Sequence, residues 1–274
     1  MKRNPTNRFR LACAVLGAFA VLWVIGFGAS AFAEDDLGPA RAAFVAGDFV
    51  AAGDMARLGE SVEAKVLAAR AYLAETGYVR IGLDAEDVLE DSLEVTTEAV
   101  VLDPDYVEAI LYRVIAIGYL SRTKGNWSAF NEGLASDAEA LIKRAIELEP
   151  QNPWALMTFA GWHSEIVAGA GSFLGSMMYG ASGQKAVQLC DDALAIEPSH
   201  IVFNVECART LMRLSLRKYG QAAVAMLNAG LATEPADAFD AVVQDHGRQL
   251  LEAYETGDKK TFKAVFRQLD AFRQ

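Results

Sequence analysis

Histidine is almost missing from this chain: 274 residues contain three of them, alongside three cysteines and seven prolines. Any imidazole-dependent metal or catalytic centre must therefore draw on His163, His200 or His246. The phrase Trp162-His163-Ser164-Glu165 is suggestive, but His and Glu two apart on a helix face different ways, whereas zinc-binding pairs need a spacing of three or four. Basic residues are also in deficit, 25 Lys and Arg against 36 Asp and Glu. That balance argues against nucleic acid and anionic lipid as partners, because both demand a basic surface. Phosphate-cradling Gly loops, GxSxG and HExxH are missing too, and neither Cys190 nor Cys207 has a histidine and an acid at a nucleophile's spacing. The reading is a non-enzymatic chain with no cofactor and no metal.

Long apolar runs are scarce, and the one that exists is at the N-terminus. Residues 1–33 follow the plan of a signal peptide: Lys2, Arg3, Arg8 and Arg10, then an apolar run from Leu11 to Gly28, then Ala31-Phe32-Ala33. Cleavage after Ala33 leaves residues 34–274 as the mature, more acidic part, exported to the periplasm. If the segment is not cleaved, it anchors the chain in the inner membrane facing the periplasm, and this is its one expected membrane contact.

What is present is a repeated phrase: EAVVLDP ending at Pro104, RAIELEP at Pro150, DALAIEP at Pro198 and AGLATEP at Pro235. Each describes a helix that packs closely through a small residue, buries an aliphatic ridge and stops where proline removes the next amide donor. The small positions are Ser92, Ala138, Ala186 and Ala223, followed by Ala99, Ala145, Ala193 and Gly230; between them lie Thr96, Ile142, Cys190 and Leu227. Gly47-Asp48 and Gly257-Asp258 read as further helix-to-helix turns.

These positions resemble the tetratricopeptide repeat, a two-helix unit of about 34 residues. The resemblance implies an all-α, right-handed solenoid of antiparallel helix pairs over residues 34–274. A looser likeness, from Trp154 through Gly161-Trp162, Gly180 and Ala186 to Pro198, is to the helical proteins accompanying tripartite periplasmic (TRAP) transporters and to the regulator-of-microtubule-dynamics family. Arg113, Gln244 and Asp245 depart from the repeat pattern; the helix holding the last two reads as a polar cap.

The intervals between the prolines exceed the repeat length, which predicts insertions on one edge of the solenoid: Ser121–Gly133, Ala168–Gly183 (AGAGSFLGSMMYGASG) and a smaller one near Thr76–Asp84. The second is expected as a Gly- and Met-rich loop. Phe173, Met177, Met178 and Tyr179 either pack it onto its own helix pair or form an adaptable apolar contact patch. The resemblance places a binding groove along the first helices of the units, at Glu108, Leu111, Ile115, Gly118 and Tyr119, then Trp154, Met157, Gly161, Ser164 and Glu165, then Val202, Val205, Arg209, Met212 and Arg213. Arg209 and Arg213, four apart on one helix face, can grip a carboxylate or phosphate, or pair with Glu206 or Asp192. Cys190 and Cys207 fall on adjacent helices, close enough for a disulfide in an exported protein or for two buried thiols. The expected function is a scaffold or adaptor that binds a protein partner or a small hydrophobic ligand, with transport association implied by the looser likeness. The alternative is a ligand-binding or enzymatic pocket around Trp162, His163 and Glu165.

Overall fold

The computed structural model describes residues 36–80, 85–124 and 133–272; residues 1–33, expected to be a signal peptide, lie outside them. The fold is all-α, with no strand among the described residues. In chain order the helices are α1 Gly38–Ala46, α2 Phe49–Ala56, α3 Val62–Ala74, α4 Glu86–Leu102, α5 Val107–Lys124, α6 Leu134–Leu148, α7 Pro153–Tyr179, α8 Gly183–Ile196, α9 Ile201–Ala232, α10 Ala238–Glu255 and α11 Lys259–Gln268. A π-helical turn, Glu75–Val79, prolongs α3. None of these helices is long and apolar enough to cross a membrane.

Helix ends follow the punctuation of the sequence. α4, α6, α8 and α9 all stop just before the recurring prolines. α7 begins on Pro153, whose missing amide costs nothing there, with the Asn152 side chain accepting from the Ala155 amide. Gly47 and Gly257 take the left-handed conformation at the two Gly-Asp turns, and the Asp258 carboxylate caps α11.

Packing follows chain order. Each helix packs on the next, and α3 also meets α5, α5 meets α7, and α7 meets α9. The small residues let the helices approach: Ser92, Ala99, Ala145, Ala186, Ala193 and Ala223 have no exposed surface, nor do Thr96, Ile142, Cys190 and Leu227 between them. α9 is two helical pieces joined at Ser215, whose φ of −173° and ψ of 108° leave the helical region. The expected polar cap is partly turned inward, because Gln244 is buried and its Nε2 donates to the Gly230 and Thr233 carbonyls that end α9. One contact goes beyond succession in the chain: α1 and the π turn pack on α10, joining Phe44, Phe49, Tyr78 and Phe239 in one aromatic group.

The expected insertions need correction. Residues 168–183 are not a loop: α7 continues through them to Tyr179. Gly171 breaks the helix with φ 80° and ψ 158°, a region only glycine enters cheaply, and the chain then resumes its helical path. Gly180, at φ 63°, ends it in a Schellman arrangement, its amide donating to Ser176 O and the Ala181 amide to Gly175 O. Similarly, Ser121–Lys124 belong to α5, while 125–132 and 81–84 lie outside the described residues.

Candidate functional site

A cavity of about 1700 Å³ opens along α5, the first half of α7 and the first half of α9, with the π turn and α10 on its far side. Leu111, Val114, Ile115, Met157, Trp162 and Val202 make an apolar wall. Such a wall results from helices that present the same face in succession, so residues a turn apart on each line the same space.

Most of the groove residues expected from the sequence are brought together here. Glu108, Leu111, Ile115, Gly118, Tyr119, Trp154, Met157, Gly161, Glu165, Val202, Arg209 and Arg213 all line the cavity. Ser164, Val205 and Met212 are buried behind it. The stretch after Gly171 divides: Met178 and Tyr179 line the cavity, Tyr179 meeting Trp162 edge-on at 6.3 Å. Phe173 and Met177 point to solvent, 77 % and 67 % exposed.

At one end of the cavity the wall becomes ionic. Arg122 and Arg213 converge on one carboxylate oxygen of Glu165, at 2.8 Å and 3.1 Å, and reach Asp270 at 3.3 Å and 3.2 Å. Arg209 lies 3.6 Å from Glu206, which also accepts from the Tyr78 hydroxyl at 2.9 Å. Of the partners expected for these arginines, Glu206 is present beside Arg209; Arg213 takes Glu165 and Asp270 instead. Burial works against the Arg122 charge, but Glu165 and Asp270 outweigh it and hold its pKa above the ordinary value. Burial also pushes the Tyr119 hydroxyl up to about 12, keeping it a neutral donor. Gly77 makes room for it, since a Cβ there would sit 2.2 Å from the Tyr119 oxygen.

Arg122, Tyr78, Asp270 and Phe272 are site residues that sequence reasoning missed. Asp270 and Phe272 follow α11, outside any repeat phrase, and Arg122 sits in what the spacing marked as an insertion.

The residues of the alternative pocket separate. Trp162 lines the cavity and its Nε1 donates to the Ala135 carbonyl at 2.9 Å. His163 is not among the lining residues: it is stacked on Phe159 at 4.4 Å, and neither ring nitrogen meets a hydrogen-bond partner among the described residues. Burial lowers its pKa to about 4, so it is neutral at physiological pH. No three His, Cys, Asp or Glu side chains among the described residues converge as a metal-holding group. Cys190 and Cys207 do come into contact, as two buried free thiols rather than a disulfide.

Compared with protein-family models and with curated proteins, the chain matches none.

Proposed function

We propose that this chain is a non-enzymatic, exported binding protein, a tetratricopeptide-like right-handed solenoid of antiparallel helix pairs that holds a small hydrophobic ligand in its cavity. The observation that carries the reading is the cavity itself, with its apolar wall and its charges gathered at one end. A pocket of this kind gains affinity from buried apolar area and orientation from a few polar groups. Titration with an environment-sensitive naphthylamine probe tests it. The unaltered chain is expected to enhance the probe's fluorescence saturably, and Ile115→Glu, which sets a charge in the apolar wall, to weaken binding by about tenfold or more, some 1.4 kcal/mol. A chain that leaves the probe dark has no such site.

Export and transport association rest on the N-terminal segment and on the looser likeness to TRAP-associated proteins. Sequencing the N-terminus of the protein recovered from a periplasmic fraction is expected to begin at Glu34; recovery with the membrane fraction, starting at Met1, supports the anchored form.

The adaptor reading is favoured by a separate observation. Phe173, Leu174, Met177 and Met178 project 46–77 % exposed from the last turns of α7, soft apolar groups suited to a protein contact. Phe173→Ser with Met177→Ser is expected to abolish recovery of a bound protein partner while leaving the probe titration unchanged.

A further inference from the structure

Just after α11, Asp270, Ala271 and Phe272 form part of the cavity's lining. Leu269, Asp270, Ala271 and Phe272 are all at least 96 % buried, yet the segment is irregular and belongs to no helix. Its backbone carbonyls are read by side chains: Arg209 donates to Leu269 O at 2.9 Å and Arg122 to Ala271 O at 3.2 Å. Between these two contacts the Asp270 carboxylate takes Arg122 and Arg213, and the Phe272 ring settles against Ala85, Leu89 and Tyr119. Side chains from α4, α5 and α9 thus converge on four consecutive residues. The helix that delivers them, α11, packs mainly on α10.

The site is built to persist without this occupant. Glu165 stays within ion-pair distance of both Arg122, at 2.8 Å, and Arg213, at 3.1 Å, so each guanidinium keeps one carboxylate partner when the segment leaves. Among the described residues, departure leaves Arg122, Arg209 and Arg213 facing the carboxylates of Glu165 and Glu206, with His246 beside Arg209 neutral. One positive charge is then uncompensated in a buried setting, which calls for one carboxylate.

We infer that Arg122, Arg209 and Arg213 form a recognition site for a turn-forming peptide segment of the pattern Asp, small residue, aromatic, which the chain's own Leu269–Phe272 segment occupies in cis. The site concerns the ionic end of the cavity and stands apart from the apolar-ligand reading. Two carbonyl contacts and an aromatic socket are features a free small carboxylate cannot use, so the occupant in trans is a protein segment.

The test uses the full chain carrying Asp270→Asn and Phe272→Ala, which loosens the segment but leaves Arg122, Arg209, Arg213, Glu165 and Tyr119 unaltered. A fluorescently labelled peptide AVFRQLDAFRQ, the sequence of residues 264–274, is titrated by anisotropy. The loosened chain, shown folded by circular dichroism, is expected to bind at least about tenfold tighter than the unaltered chain. The same peptide with asparagine for its aspartate is expected to lose about tenfold. Equal binding by the two chains, equal binding of the two peptides, or displacement of the peptide by millimolar acetate would each overturn the site. Hydrogen exchange on the unaltered full chain answers the same question if the variant does not fold. The bonded amides of Leu269 and Asp270 are expected to exchange at least about tenfold faster than those of Val205 and Cys207, by local release of the segment. Exchange as slow as in α9 would overturn the proposal, because the segment would then leave only when the whole fold does.

Discussion

At the scale of single residues, the buried charges set an order of effects. Glu165 and Asp270 are both shared by Arg122 and Arg213, and Glu165 is the closer of the two to Arg122, at 2.8 Å against 3.3 Å. Breaking a buried ion pair by neutralising one partner costs about 3–5 kcal/mol, because the other charge stays desolvated. Glu165→Gln is expected to lower stability in urea unfolding by about 3 kcal/mol, and Asp270→Asn by less than half of that, since both arginines keep Glu165. The reverse order would mean that Asp270, and not Glu165, anchors the arginines. Histidine supplies a second effect of known sign. Burial lowers the pKa of His163 and of His246 to about 4, the latter helped by Arg209. A group depressed in this way stabilises the fold while neutral, so its contribution is complete above the ordinary value of 6.5 and shrinks as pH falls toward 4. The urea midpoint is therefore expected to fall steadily between pH 6.5 and pH 5, before most carboxylates protonate, and His163→Leu to remove part of that slope.

The elements show which parts of the structure were legible in the sequence. Ser92, Ala145, Ala186 and Ala223 announced the close helix packing because a helix stripped of bulk at one position in each repeat has few other uses. The groove wall from Leu111 to Arg213 was legible because each unit offers the same face to the same space. The stretch from Ala168 to Gly183 was misread because glycine frequency speaks for a loop, whereas only Gly171 leaves the helical region before Gly180 ends the helix. The two halves of α7 hold together through Tyr179 on Trp162 and Gly175 on Ile166, contacts that carry no local pattern. Gly171→Ala meets no atom within 4 Å, so its cost is conformational alone, about 1–3 kcal/mol. It is expected to lower the melting temperature and to release the Phe173 ridge from its fixed angle, read as faster hydrogen exchange from 172 to 179. Gly161→Ala, within regular helix and equally free of clashes, is expected to raise stability by about 0.5–1 kcal/mol.

At the scale of the whole molecule, helices far apart in the chain meet: α1 and the π turn pack on α10. Phe239 on α10 lies 6.1 Å from Phe44, 6.4 Å from Phe49 and 5.2 Å from Tyr78, and Asp237 stands 3.7 Å from Arg70. A repeated phrase foretells contacts between neighbouring helices only, so nothing in the sequence pointed to this contact; Phe44 and Phe239 share no motif and are 195 positions apart. The consequence is thermodynamic. In an open array, stability is a sum over neighbours, and a change in the last helices is not felt in the first. The contact between α1 and α10 couples them, because opening at either place breaks the same aromatic group. Phe239→Ala removes a half-buried ring and is expected to cost about 2 kcal/mol, below the range for a fully buried one. The decisive measurement is where that cost appears. Hydrogen exchange in α1 and α2 is expected to speed up together with α10, while the central helices α5 to α8 keep their protection. Acceleration confined to α10 and α11 would mean that the ends touch without being coupled, and that the molecule unfolds as a simple row of helix pairs.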